Sequence, residues 1–492
     1  MIEAKASMSG GLPRYPAYKP SSVLWLGDAP EHWERQPGKA CFAEGRTPNT
    51  GLQVTTVLSL SYGQLVVRPP EKLRGLVPTS FETYQIIEPE DIVIRPTDLQ
   101  NDKNSLRTGI ARTRGIITSA YMRMRPKAPL LAAYGHLLLH AYDLMKVFYG
   151  LGSGLRQNLD WSDFKYLPCL VPPLPEQQAI VRYLDHHDRL IRKYLRAKQR
   201  EIALLQEQKQ AIIHQAVTRG LNPDAPMKPS GVEWLGDVPA HWEVIALRHL
   251  GTHFGSGVTP RGGATVYQSS GIPLIRSQNV HFDGLRLDGV AFISEHIHLS
   301  MYGSRVLPSD VLLNITGASI GRVCVVPEDI GEANVNQHVS VIRPRLDRVM
   351  PAYLALFLSS PFIQDRIAMI SNGAAREGLP MEDTKALPIV VPTLHEQSLI
   401  VSRLASANAR TTASMRAIQD ELNLLHEYRT RLIADVVTGQ VDVRAAVEQR
   451  AAAAALPDET EDPDDWEADE AEEADEGLAV VEESEGVAEE EG

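Results

Sequence analysis

Cysteine is scarce in this chain. Cys41, Cys169 and Cys324 stand far apart, which excludes a disulfide framework and a cysteine-built metal cluster. No apolar run reaches 18 residues and no signal peptide is seen, so neither a membrane partner nor secretion is expected, and a cytoplasmic protein is. Signatures of chemistry are missing too. There is no HExxH, no closely spaced Cys/His set and no Gly-rich loop followed by Lys-Ser/Thr. An Asn/Asp-Pro-Pro-Tyr/Phe stretch, the kind of site that holds an adenine for amino-group methylation, is also absent. Glu88–Ile92 and Glu377–Asp383 supply carboxylates, but on expected turns and without a metal-ligand context. No catalytic residue, resident cofactor or metal is therefore expected, and chemistry is left to partners.

One charge sign is missing from one stretch. Residues 458–492 hold 19 of the 62 acidic side chains and no Lys or Arg, so the rest sets 49 bases against 43 acids, a net of +6. A mildly basic folded part permits a nucleic-acid partner without demonstrating one. The tail has too much like charge and too little apolar content to fold.

What the chain does have, it has twice. Val171–Gly220 returns as Val391–Gly439, with a constant offset of 220 from Val171/Val391 through Thr218/Thr438. Each copy starts at a Pro-bearing turn and reads as a helix of roughly 43 residues, about 65 Å long at 1.5 Å per residue. Every seventh residue gives Leu184, Ile191, Lys198, Leu205 and Ile212 in the first copy, and Leu404, Thr411, Ile418, Leu425 and Leu432 in the second. The complementary series is Val181, Asp188, Leu195, Ile202, Lys209 and Ala216 against Val401, Asn408, Met415, Leu422, Arg429 and Val436. Two heptad seams of equal length predict an antiparallel coiled-coil pair. The polar breaks at Asp188/Asn408 and Lys209/Arg429 either fix its register or face another subunit. A spacing-sensitive rod tolerates no insertion, which is why its offset stays fixed.

A second repeat, Trp25–Glu34 and Trp234–Glu243, matches at eight of ten positions with an offset of 209. The material between cap and rod thus differs by eleven residues, a constant frame around variable content. A packing or turn role is expected for His32 and His241. Between cap and rod, strand-like runs alternate with Gly, Pro and Asn turns, for example Thr55–Val67, Tyr84–Pro96, Ile272–Val280 and Asp310–Val326. Leu130–Gly150 and Pro351–Ile370 read as helices. The fold class is α/β: two globular domains separated by two long repeated helices, pseudo-twofold overall. The boundaries expected are a flexible lead 1–20, a first domain 21–170, a first rod 171–220, a linker 221–233, a second domain 234–390, a second rod 391–440, a short C-terminal helix 441–457 and a disordered acidic tail 458–492.

Leu307–Pro327, Asn334–Pro344, Gly257–Pro260 and Ile272–Val280 resemble the target-recognition domain of the type I restriction-modification DNA specificity subunit. So do the twin rod starts Leu174, Glu176, Gln177 and Leu394, Glu396, Gln397, and the rod ends Ala211–Gly220 and Arg431–Gly439. Glu90–Pro96 and Gly115–Met124 resemble the other common version of that domain. The resemblance covers about residues 21–440 and rests on duplicated order, no single motif being decisive. It implies that each domain reads one half of a bipartite, asymmetric sequence in double-stranded DNA, with the rods as a ruler. Two adenine-N6 methyltransferase subunits and up to two motor-nuclease subunits are then partners, and S-adenosylmethionine, ATP and magnesium belong to them.

Arg and Lys should hold phosphates, whereas a few Arg, Asn and Gln should discriminate base edges. In the second domain the candidates are Arg276, Gln278, Asn279, Asn314, Thr316, Ser319, Arg322, Asn336 and Gln337, with turn capping as the other reading of each. In the first they are Arg107, Arg112, Arg114 and Arg156, the last on a Gly-rich loop that repeats at Arg376. Spacer and assembly roles fall to Leu184, Ile191, Leu195, Ile202, Leu205, Ile212, Leu404, Met415, Ile418, Leu422, Leu425 and Leu432. Two other function classes compete: a coiled-coil scaffold for non-DNA partners, and a self-contained methyltransferase or nuclease.

Overall fold

A computed structural model describes residues 12–61, 63–69, 80–100, 106–151, 158–260, 262–373 and 378–454. Arg156, Arg376 and the acidic tail lie outside these residues. The chain divides into two units, residues 1–196 with 421–492 and residues 197–420.

Each unit holds two four-stranded sheets of short strands. In the first, one sheet runs Phe42–Gly45, Met122–Pro126, Ile92–Ile94, Thr108–Ile110 in spatial order; the other runs Gln64–Arg68, Val57–Ser61, Gly115–Ile117, Gln85–Ile87. In the second, the sheets are Gly251–Ser256, Val339–Pro344, Val311–Asn314, Val323–Val325, and Ala291–Ile293, Ile272–Ile275, Ala333–Val335, Arg305–Val306. Numbered along the chain, the eight strands occupy the same places in both units. Even the one parallel pairing recurs, Val57–Ser61 with Gly115–Ile117 and Ile272–Ile275 with Ala333–Val335. Five of the sixteen strands, Ile92–Ile94 and Val311–Asn314 among them, are buried along their whole length, so these read as largely apolar runs rather than alternations.

A helix follows the last of the eight sheet strands in each unit. Ala132–Leu144 is succeeded by a short 3-10 turn, whereas Pro351–Leu358 and Pro361–Gly373 are two helices broken at Ser359-Ser360 before a proline. The equivalent residues Tyr134 and Tyr353 are fully buried and donate to the carbonyls of Leu170 (3.0 Å) and Val390 (2.9 Å).

The long helices are Leu174–Thr218 and Leu394–Val437. Each unit contains the start of one and the end of the other, so the pairing within a unit is antiparallel. In the first unit Ile180, Leu184, Leu432 and Val436 share one core; in the second Ile213, Val217, Ile400 and Leu404 do. Of the expected seam, Leu184, Ile191, Leu195, Leu404, Ile418, Leu422 and Leu432 are buried, and Ile202, Leu205, Met415 and Leu425 are half-buried. Ile212 is a correction. It is 37 % exposed, and Ile213, at 3 %, takes its place. A strict seven-residue count drifts about 20° per heptad on a straight helix. Four heptads past Leu184 the buried stripe has moved to the neighbouring residue.

The lead-in also needs correcting. Tyr18–Pro20 pairs with Asp28–Pro30, Tyr15 is buried, and the Asp442 amide donates to Pro13 O at 2.8 Å. Its counterpart is in the linker, where Met227–Pro229 pairs with Asp237–Pro239. The C-terminal helix spans Arg444–Ala454.

Candidate nucleic-acid interface

The repeated cap is a joint. In the first unit, the carboxylate of Glu176 at the start of the long helix is 2.6 Å from His32 Nε2, accepts from Trp33 Nε1 at 2.7 Å, and is 3.2 Å from the Arg444 guanidinium. In the second, Glu396 meets His241 Nε2 at 2.7 Å and Trp242 Nε1 at 3.3 Å. The next residue is a clamp: Gln177 Oε1 accepts from the Leu131 amide (2.8 Å) while its Nε2 donates to Pro172 O (2.9 Å). Gln397 repeats this with the Met350 amide (2.7 Å) and Pro392 O (2.9 Å). The ends of the long helices reach the same tryptophans. Gly439 has φ +76°, and a Cβ there would meet Pro30 Cδ at 2.5 Å and Trp33 at 3.1 Å; at Gly220, φ +78°, it would meet the Trp242 ring at 3.0 Å. Glycine is required at both for conformation and for space. His32 and His241 thus anchor the helix starts, a role that packing alone did not specify.

With the joint fixing one side of each domain, the strand order decides which loops meet. In the second unit the strands Ile272–Ile275 and Ala333–Val335 run parallel, and the end of Val311–Asn314 pairs with the start of Val339–Pro344. Three loops consequently converge: 276–290, 315–322 and 336–338. Hydrogen bonds tie them together. Asn314 Nδ2 donates to Ser277 O (2.8 Å) and Ser319 Oγ (3.0 Å), the Asn336 amide donates to Ile275 O (3.0 Å), and the Ile315 amide donates to His338 O (3.0 Å).

Apart from Arg376, which lies outside the described residues, the sequence candidates of the second domain lie on these loops or at the strand end feeding them, but they do two jobs. Asn279, Asn314 and Asn336 are buried. Asn279 Oδ1 accepts from the Arg276 amide (3.0 Å) and its Nδ2 donates to Arg286 O (2.9 Å), so it braces a turn. Gln278 and Gln337 are exposed, and Arg276, Thr316, Ser319 and Arg322 are half-exposed. These six can reach a ligand. Arg276 lies over the Tyr267 ring, 5.7 Å from its centroid. His338, which the sequence reading passed over, sits among them; its signal was adjacency to Asn336-Gln337.

The first domain departs from expectation. Arg107 immediately precedes the strand Thr108–Ile110, as Arg322 precedes Val323–Val325, yet it is fully buried. Its guanidinium donates to the carbonyls of Thr97 (2.7 Å), Asp98 (3.3 Å) and Arg95 (3.4 Å), which spends a surface cation on bracing a loop. Arg112 and Arg114 are exposed, but they occupy the turn between Thr108–Ile110 and Gly115–Ile117, at the opposite end of the sheets. Arg114 pairs with Glu88 at 3.0 Å. Arg112 lowers the carboxyl of Asp185 on the long helix, which burial raises more strongly. The turn matching 336–338 is Thr118–Tyr121, which carries no Gln or Asn.

On the first-unit part of the helix pair, a cavity of about 550 Å³ is lined by Tyr194, Leu424, Leu425, Tyr428 and Leu432. Leu190, Tyr194 and Leu424 are exposed beside it, at 51, 42 and 65 %. Among the described residues no helix is long and apolar enough to cross a membrane.

Residues 239–424 match the family model for the type I restriction modification DNA specificity domain. The type I restriction enzyme EcoBI specificity subunit of Escherichia coli is 27 % identical over 285 residues, 56 % of this chain and 59 % of that protein. A putative type I restriction enzyme MjaX specificity subunit of Methanocaldococcus jannaschii is 21 % identical over 59 % of this chain and 63 % of its own length. The matches thus span about six-tenths of each relative. A solved structure described as the basis of complex assembly and conformational transition of the type I R-M system has a TM-score of 0.61 at 15 % identity. It covers 83 % of this chain and 98 % of its own, and shows a shared fold. Residues 239–424 thus match a type I restriction modification DNA specificity domain, and the chain is similar to type I specificity subunits.

Proposed function

We propose that this chain is the sequence-reading subunit of a type I restriction-modification complex, in which each domain reads one half of a bipartite, asymmetric target in double-stranded DNA. The observation that carries this reading is the convergence of three polar loops on one end of the second domain, whose strand topology the first unit repeats. Exposed Gln278 and Gln337 supply donors and acceptors for base edges, while Arg276 and Arg322 supply cations for phosphates. The joints built on Glu176 and Glu396 fix each domain to a helix of 45 or 44 residues. Those helices act as the ruler for the spacer between half-sites.

Chemistry is assigned to partners: two adenine-N6 methyltransferase subunits, and up to two motor-nuclease subunits, working in the cytoplasm. S-adenosylmethionine, ATP and magnesium would be held there. The apolar groove beside Leu190, Tyr194 and Leu424 supports a protein partner on the helix pair. Methylation needs the target adenine out of the stack, so this chain holds the duplex while a methyltransferase receives the base.

The test is co-expression with the partner methyltransferase followed by methylome sequencing. N6-methyladenine on a bipartite motif is expected, and the motif should change when both domains are exchanged. Retention of the same motif after that exchange would sink the assignment. Removing seven residues from each long helix keeps both seams, and should leave the half-sites intact while altering the spacer or uncoupling them.

A further inference from the structure

The turn joining Ala333–Val335 to Val339–Pro344 holds three consecutive polar residues. Asn336 is internal, its Oδ1 accepting from the His338 amide at 3.2 Å. Gln337 is exposed. His338 is half-buried between them and the neighbouring loop: its Nε2 is 2.7 Å from Gln337 Nε2, and its Nδ1 is hydrogen-bonded with Thr316 Oγ1. Behind the turn stands Gly257, where a Cβ would lie 2.0 Å from Val335 O and 2.2 Å from Asn336 O. The turn is therefore backed by main chain and has no room to retreat.

Two nitrogens at 2.7 Å must divide the roles of donor and acceptor. An amide nitrogen only donates, so His338 Nε2 accepts. The neutral ring then carries its proton on Nδ1 and donates it to Thr316 Oγ1. Gln337 Oε1 is the amide atom turned from the ring. A glutamine without such a tether presents either end of its amide with equal ease, and distinguishes poorly between amino-bearing and oxo-bearing bases.

We infer that His338 is a positioning residue for base readout: it fixes the Gln337 amide so that Oε1 faces the DNA as an acceptor, selecting a base with an exocyclic amino group. In the major groove that base is an adenine, through N6, or a cytosine, through N4. The inference rests on the DNA-reading assignment above and deepens it to one side chain and one chemical class of base.

The test is selection by the full chain, with its partner methyltransferase, from a pool of duplex oligonucleotides randomised across both half-sites. The wild type should show one position in the second domain's half-site with a preference of about tenfold for an amino-bearing over an oxo-bearing base. His338→Asn keeps an amide near the Nδ1 position and has nothing at Nε2. It should reduce that preference to within about twofold while every other position is read as before. Gln337→Ala should relax the same position, and the double variant should relax it no further. Full preference in His338→Asn, or a decay of all positions of the half-site together, overturns the positioning role. A wild-type complex that selects no sequence overturns the DNA-reading assignment instead, so the two failures are distinct.

Discussion

The two domains share eight strands in one order and differ most in a single connection. In the first domain Ser61 pairs with Gln64 across a tight hairpin. At the same place the second domain inserts residues 276–290, which carry a small hairpin of their own, Val280–His281 with Gly284–Leu285. The adjoining Arg107 is buried under carbonyls, whereas its counterpart Arg322 is half-exposed. The sheets and joints set a geometry that both copies keep, and the convergent loops are where they diverge. That is the division of labour expected if, as proposed, one scaffold presents two different reading surfaces.

The largest expected effect comes from erasing this difference. Replacing 276–290 with a two-residue hairpin should abolish selection at the second half-site, a loss on the order of 10³-fold in binding to the full target. Recognition of the first half-site should persist, and competition binding with half-site mutants would read both. Next come the joints. Glu176 is 6 % exposed and serves three donors, whereas the Glu396 side chain is 31 % exposed. Glu176→Ala should therefore destabilise its unit by about 2 kcal/mol, because the buried Trp33 Nε1–H loses its acceptor while His32 and Arg444 are part-exposed. Glu396→Ala should cost about 1 kcal/mol. Denaturant unfolding followed by hydrogen exchange in each unit would separate them; equal losses would remove the asymmetry.

A third contrast is in acid. The helix Ala132–Leu144 carries His136 and His140, held by burial at about 4 and about 3, while Pro351–Leu358 contains no histidine. A histidine depressed in the folded state leaves the unfolded chain to bind protons first. Its stabilisation is complete above about pH 6.5 and is lost as pH falls towards 4, at no more than about 1.4 kcal/mol per pH unit per histidine. Hydrogen exchange, corrected for intrinsic rates, should show 132–144 opening between pH 7 and 5 while 351–358 holds. Smallest is the seam. Asp188 pairs with Arg429 at 2.6 Å and with Arg192 at 2.9 Å, while the duplicated positions are Asn408 and Lys209, an amide and a cation. Asp188→Asn should cost about 0.5 kcal/mol, in keeping with a half-exposed pair, and less at high salt.

Much of the fold was legible because it was written twice. The fixed offset of 220 announced the long helices, and the strand runs between turns announced the sheets. Sequence spacing failed where packing overrides pattern, as at Ile212, whose place on the buried stripe passes to Ile213. It also gave no reason for Leu-x-Glu-Gln. The carboxylates there satisfy Trp33 and Trp242, more than a hundred residues away, and the amides accept from the Leu131 and Met350 main chain; local pattern does not encode such long-range pairing. The candidate loops of the second domain were found as a set because Arg, Asn and Gln cluster at strand ends. Their division into braces and reachable groups depends on burial, which composition leaves open for Asn279 and Gln278 alike. Arg107 was misread for the same reason. Topology separates Arg112 and Arg114 from the loop end, because consecutive turns alternate between the two ends of an antiparallel sheet.

The division of the chain has a consequence for its manufacture. Residues 197–420 form an uninterrupted unit, but the first unit closes only with Leu432, Val436, Val437, Val441 and Val443 in its core and Tyr18 Oη donating to Gly439 O at 3.0 Å. On a ribosome, the segment synthesised first must wait, its apolar surface uncovered, until Val441 and Val443 emerge. Domains commonly complete in order of synthesis. Here the later-made unit can be finished before the earlier one, and a stop codon shortly before residue 430 would strike the amino-terminal half of the protein.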